Sequence, residues 1–323
     1  MSAPTLSIVL AVTNAPAVRD DALNRALDAL QRSVTALAGG IACEVIVVLP
    51  DGVTAPPNDI AACLHMRVVH AEAGALTPVL WGTGVRAASG RVVAFTTAQL
   101  QVGVSWAGAL LEAIDTGVDA GVIGAGGPIA PPATERGAAA DAAADAAMLV
   151  RFHAFLPGRW PRRMLADDIP GDNAAYVRAH LMEHQDLLCA GFWEVEFHRR
   201  FSRAGKQLLM VPEALATVQS SPKGAVDLRT LREQRYAHGV TFGFTRVARH
   251  GQSTLRIVLA APLVPLVLLA RIVRRARAAG VDHGRVRRAL PAMLWLTSAW
   301  AAGEAVGALR AARRGKQVTF AHE

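Results

Sequence analysis

Cysteine is scarce in this sequence: there are three in 323 residues, Cys43, Cys63 and Cys189. An odd number without CxxC spacing indicates neither a disulfide framework nor a thiolate zinc site, and a reducing compartment is the simpler setting. Aromatic residues make up only 5% of the chain, and the basic C-terminal stretch interleaves its arginines with aliphatic runs. That pattern fits lipid better than stacked bases, so nucleic acid is not an expected partner. The N-terminus has no basic n-region and no small-residue cleavage site before the apolar residues 6–12. This predicts a first strand rather than a signal peptide, and a cytoplasmic body. No internal repeat is evident.

Acidic residues are thin in the last third. Residues 1–228 carry 17 Lys+Arg against 22 Asp+Glu, whereas residues 229–323 carry 17 against 4, so the formal charge of +8 divides into −5 and +13. With 52% hydrophobic residues the chain is long enough to bury a sizeable core. The first part alternates strand-like and helix-like segments: strands over 6–13, 44–49, 66–69, 91–96 and 120–123, helices over 20–37, 78–89 and 106–115. That order predicts a mostly parallel sheet covered on both faces, with ligands at the C-terminal ends of the strands. Residues 133–147 are Ala/Asp-rich and read as helix or loop. Helices are expected over 174–185 and 194–204, and a strand over 207–211.

Two apolar runs follow, residues 257–270 and 289–303. The first holds Pro262 and Pro265, and its 14 residues cover roughly 21 Å as a helix against a hydrocarbon core of about 30 Å. Every flank is basic. A two-span hairpin keeps one flank poor in Lys and Arg, so these runs point to re-entrant or interfacial helices on an anionic leaflet, ahead of tilted spans or a soluble helical pair. The expected domains are therefore 1–228, an α/β body, and 229–323, a basic, hydrophobic, membrane-associated helical region.

Two motif matches carry little. Gly82, Gly84 and Ala87 fit GxGxxA but lack a preceding strand. His180, Glu183 and His184 fit HxxEH, a metallopeptidase spacing, although ten histidines make a chance match on a solvated helix easy. More is carried by segments in order: SIVLAVTN, EVIVVLPDG, GVRAASGRVVAFT, Trp106, PGDNAAYVRAHL, GFWEVEFHRRFSRAG, and EQRYAHG leading to APLVPLVLLAR. From Ser7 to about Leu309 this series resembles the inverting family 2 glycosyltransferases of the GT-A fold, in particular bacterial members with a hydrophobic C-terminal hairpin.

The resemblance implies an α/β GT-A fold with a mixed, mostly parallel sheet and a membrane-associated helical hairpin. It implies sugar transfer from a nucleotide-diphosphate donor to a membrane-associated acceptor, lipid-linked or envelope glycan, at the cytoplasmic face of the plasma membrane. Glu194 falls in the catalytic-base region. Thr13, Asn14, Asp51, Thr97 and Gln99 fall on the nucleotide-sugar side. Gly171, Asp172, Asn173, Trp193, Gln234 and Arg235 fall on the acceptor or diphosphate side. The family's metal-binding acidic motif lands on Thr97-Ala98-Gln99, its uridine-binding acid on Leu49 or Pro50 with Asp51 as a shifted substitute, and its Arg-Asn pair on Trp81-Gly82. Mg or Mn, the family's cofactors, thus lack their usual carboxylate ligands here, and no metal residue is assigned. Two functions stay open: an active transferase, and a catalytically inactive relative acting as a membrane-bound binding or scaffolding partner.

Overall fold

A computed structural model of the chain describes residues 4–13, 21–53, 64–132, 142–219 and 228–320. It divides into two compact units, Met1–Ala133 with Phe155–Lys223, and Thr134–Ala154 with Gly224–Glu323. The second break lies five residues before the boundary expected at 228/229. Of the stretch expected in the body, the described residues 142–154 cluster instead with the C-terminal unit.

The first unit is α/β. Eight strands form one sheet in the order β3-β2-β1-β4-β9-β6-β10-β8: β1 (Leu6–Ala11), β2 (Cys43–Pro50), β3 (Met66–Ala71), β4 (Val92–Thr97), β6 (Val122–Gly126), β8 (Met164–Ala166), β9 (Ala174–Val177) and β10 (Gln207–Met210). Pairing is parallel except where β9 lies antiparallel between β4 and β6, and where β8 edges β10. Every residue of β1 and β4 is buried, as expected of strands whose two faces are both covered. A small second sheet joins β5 (Leu100–Val102), β11 (Ala216–Val218) and β7 (Ile129–Ala130).

Helix α1 (Ala22–Thr35) buries Leu23, Ala26, Leu27 and Leu30, a 3–4 spacing that makes one apolar stripe. Helix α2 (Thr77–Ala87) approaches the sheet through glycines. A Cβ on Gly84 would lie 2.2 Å from Val9 Cγ1, and one on Gly82 would lie 2.8 Å from the Gly191 Cα. The GxGxxA pattern is thus a packing device. Helix α3 (Trp106–Thr116) buries Trp106 completely.

One prediction is overturned at residues 174–185. The first four form β9, and two short helices follow, α5 (Arg178–Met182) and α6 (Gln185–Leu188). Two open sheet edges, β4 and β6, supply ladder partners on both sides of Ala174–Val177, and that pairing outweighs the helical preference of alanine. Helix α7 (Glu194–Arg203) returns the chain to β10.

The second unit is helical: α4 (Ala142–Phe152), α8 (Leu228–Ala248), α9 (Thr254–Ala260), α10 (Val264–Ala278) and α11 (His283–Phe320). Its centre is a pair of glycine-faced helices. Cβ atoms added at Gly239 and Gly243 of α8 would lie 2.2 and 2.0 Å from the Trp300 and Glu304 carbonyl oxygens. Those at Gly303 and Gly307 of α11 would lie 2.2 and 2.0 Å from the Tyr236 and Val240 oxygens. Backbone therefore rests on backbone, and Glu304, buried in this contact, is ion-paired to Arg246. Asp145 of α4, also buried, takes Nε and Nη2 of Arg285 at 3.0 and 2.5 Å.

The apolar run 257–270 does not stay one helix. Pro262 and Pro265 separate α9 from α10 by a 66° bend, as proline's missing donor and ring clash require. Among the described residues no single helix is long and apolar enough to cross a membrane; the bent pair α9–α10 passes by length and composition when taken together. Its leucines face outward, with Leu255, Leu259 and Leu263 between 63% and 69% exposed.

Candidate functional site

The C-terminal edge of the main sheet gathers most of the expected residues. Thr97 ends β4 opposite Ala11, two positions before Thr13, and the Gln99 amide donates to Thr13 Oγ1 at 3.3 Å. The backbone here is pinned from behind by Gln219. Its amide nitrogen donates to the Ala98 carbonyl at 2.9 Å, and its main-chain N–H donates to the Gln99 carbonyl at 2.8 Å. Among the described residues the buried hydroxyls of Thr96 and Thr97 have no hydrogen-bond partner. Buried polar groups are normally satisfied, so two idle hydroxyls at this edge are a feature to be explained.

Asp51 follows β2 in a turn. Its N–H donates to Ala71 at 2.7 Å, while its exposed carboxylate lies 3.8 Å from His70 Nδ1. Asn14 lies outside the described residues. Among those described, no three His, Cys, Asp or Glu side chains gather to hold a metal ion. The hydroxyl, methyl and amide at positions 97–99 do not suit a hard divalent cation, which takes carboxylate oxygens.

The second cluster surrounds a short turn, Gly171–Asn173, between Pro170 and β9. Because Ala174 pairs with Phe95 and Gly126, this turn stands beside the ends of β4 and β6. A Cβ on Gly171 would meet Trp81 Cζ3 at 3.1 Å and the Glu194 carboxyl carbon at 3.3 Å. Gly171 thus brings turn, indole and carboxylate together, and any side chain there would part them. Trp81 is 2% exposed and donates to the Thr96 carbonyl at 3.4 Å. It fills with apolar ring the position where the family resemblance sets a polar pair.

Glu194 opens α7 and is half-buried. Its approach is fixed by Phe192, whose N–H donates to the Pro78 carbonyl at 2.7 Å, and by Gly191, whose φ of +104° only glycine adopts without strain. Trp193 precedes it, tied by its indole N–H to the Ala190 carbonyl at 2.8 Å. Asp172 is 8% exposed.

Asn173 requires a correction. Expected on the acceptor or diphosphate side, it is fully buried: its oxygen accepts from the Trp106 indole at 2.5 Å, and its nitrogen donates to the Pro128 and Ala214 carbonyls at 3.0 and 2.9 Å. Both amide hydrogens are used. Asn173 is a staple that holds the turn under Glu194.

A chain of polar groups that sequence reasoning missed runs beside the carboxylate. Asp168 accepts from His198 Nδ1, and His198 Nε2 lies 2.7 Å from the Tyr176 hydroxyl. A carboxylate only accepts, so Nδ1 carries the proton and Nε2 takes the tyrosine O–H. Tyr176 is fully buried, and burial pushes its phenol well above the ordinary range, with the charges of Glu194 and Asp168 adding to the shift. One signal was available: Glu194 and His198 are four apart, on one helix face.

HxxEH does not assemble a metal site. His180 contacts Glu183 at 3.1 Å, the helix breaks after Met182, and His184 packs on the rings of Phe197 and Phe201. Gln234 and Arg235 belong to α8 in the helical unit. There, burial and then the Arg151 charge lower the Arg235 guanidinium to about 10. His238, one turn along, is lowered to about 4 by burial, then by Arg235 and Arg151.

No family model and no curated protein matches the chain. Among solved structures it is similar to the mannosyltransferase PcManGT from Pyrobaculum calidifontis, in complex with GDP-Man and Mn2+. The identity is 16% and the TM-score 0.43, over 97% of this chain and 76% of that one.

Proposed function

We propose that the α/β unit is a GT-A-type glycosyltransferase domain. It would transfer a sugar from a nucleoside-diphosphate donor to an acceptor hydroxyl, with inversion at the anomeric carbon. The observation that carries this reading is the Glu194 carboxylate held against Gly171 and Trp81 at the C-terminal edge of the sheet, the edge where open α/β sheets bind ligands.

Glu194 takes the acceptor's proton as its oxygen attacks the anomeric carbon, and the nucleoside diphosphate departs from the opposite face. Asp168, His198 and Tyr176 form a rigid second layer whose hydrogen bonds hold the β9 and α7 side of the site. The donor lies along the strand ends, where the partly exposed Thr13 and Gln99 offer neutral hydrogen bonds in place of a metal. The basic helical unit, with its outward leucines, rests on an anionic membrane at the cytoplasmic face of the plasma membrane, which favours a membrane-associated acceptor.

The absent carboxylates at 97–99 and the ring at Trp81 support a second reading, a non-catalytic relative that keeps the fold as a membrane-bound binding partner. Thermal shift and nucleotide-release assays with UDP- and GDP-sugars, with and without Mn2+, separate the two. Binding that does not require Mn2+, together with release, supports the transferase; failure to bind any nucleotide diphosphate sinks it. Glu194→Gln is expected to lower turnover at least 100-fold with donor binding intact, and retained turnover removes Glu194 from the mechanism. For the membrane, Leu259→Glu/Leu263→Glu/Leu266→Glu is expected to abolish sedimentation with anionic vesicles while the circular dichroism spectrum is kept. Unchanged sedimentation counts against this face as the anchor.

A further inference from the structure

We infer that a groove between α10 and α11 binds an anionic glycerophospholipid, hydrocarbon along one end and phosphate at the other. The inference rests on the membrane-surface reading above and names what that surface grips. The groove has a volume of about 520 Å³, and its lining includes Leu266, Leu269, Val273, Arg274 and Arg277 of α10 with Leu290 of α11. The α10 residues fall 3, 7, 8 and 11 positions after Leu266, which sets them along one helix stripe, about 16 Å from first to last.

Chemistry is sorted along that stripe. Residues 266–273 are apolar where they line the groove, and the two cations come only at its far end. A small soluble anion has no use for the apolar length, and a neutral lipid has none for the arginines. An amphiphile with a negative head matches both. The guanidinium fork suits phosphate oxygens in particular.

Among the described residues the cationic end is also without a carboxylate partner: neither Arg274 nor Arg277 pairs with one, and the four described acids of this unit are engaged elsewhere. Asp145 holds Arg285, Glu304 holds Arg246, Glu233 contacts Arg229, and Asp282 accepts from the Arg285 main-chain N–H. The apolar end, by contrast, continues into exposed Leu263 and Leu259, so a chain entering the groove comes from the surface on which those leucines rest.

The test uses the full chain with phosphatidylcholine vesicles containing a phosphatidylglycerol that bears a diazirine in its acyl chain. After illumination, adducts are mapped by mass spectrometry, and flotation is read in parallel. Adducts on residues 266–273 and Leu290 are expected, competed by unlabelled phosphatidylglycerol but not by phosphatidylcholine or inorganic phosphate. Arg274→Gln/Arg277→Gln is expected to cut labelling at least fivefold, and Leu269→Trp, which fills the groove, to do the same, both with flotation retained. Flotation without groove adducts overturns the inference and leaves the membrane reading standing. Loss of flotation in the wild-type chain overturns both. Adducts from a diazirine-bearing prenyl phosphate in place of phosphatidylglycerol, or protein-to-protein crosslinks through the groove, overturn it in favour of an acceptor lipid or a second copy.

Discussion

The sheet body and the helical unit close their packing in different ways. In the body, apolar side chains do the work: β1 and β4 are buried at every position, and a ring cluster of Trp81, Phe95, Tyr176 and Phe192 fills the space above them. In the helical unit the closest contacts are made by residues without side chains, Gly239 and Gly243 against Gly303 and Gly307. Leu255, Leu259, Leu263 and Leu266 of this unit are left outside. A soluble core spends its leucines inward, because each one buried contributes roughly 1.5–3 kcal/mol. Packing through glycine with leucine exposed is what the proposed membrane-surface reading calls for, since close backbone approach is the usual route to helix association in apolar surroundings.

Gly243→Val should break the comparison most severely. Its new carbons meet the Glu304 carbonyl, which cannot move without separating the helices, and a loss of about 3 kcal/mol or more is expected. Hydrogen exchange read peptide by peptide should show α8 and α11 deprotected while β1 to β4 stay slow; equal deprotection of the sheet would refute the independence of the two packing schemes. Asn173→Ala is the counterpart in the body. It leaves the buried Trp106 N–H and two carbonyls unpaired, for about 3 kcal/mol. Exchange should rise in α3 and β9 and not in α8.

The third expectation turns on pH. His238 titrates at about 4 in the folded unit against 6.5 as the ordinary value. Above about pH 6.5 both states are neutral and nothing is lost. As the pH falls from there toward about 4 the unfolded chain takes up the proton first, so stability drops, by about 3 kcal/mol in all. His238→Gln should flatten this slope in α8 exchange, and a slope unchanged by the substitution would assign the acid sensitivity to another group.

Most of the body was legible because its strands are continuous apolar runs and α1 keeps a clean helical stripe. The prolines at 262 and 265 marked the break between α9 and α10. Local sequence misled at Ala174–Val177, where strand formation depends on two neighbours distant in the chain. It was silent on Asn173, since whether a buried amide serves a ligand or three distant groups is decided by Trp106, Pro128 and Ala214 together. The Asp168–His198–Tyr176 chain had the same obstacle: its members come from a loop, a helix and a central strand. Glu194 was legible as a position, and Gly171 and Trp81 gave it a setting. Asn14 lies outside the described residues, and Gln234 and Arg235 belong to the other unit.

Glu304 stands between Gly303 and the turn that ends at Gly307, with Arg246 as its partner. Each residue of an α-helix turns the next by about 100°. Inserting or deleting one residue in α11 near this point would swing the carboxylate away from Arg246 and bring a side chain against the α8 backbone at the same time. The charge and the two glycines therefore act as a key cut for a single register: a change of length here is read at every contact downstream.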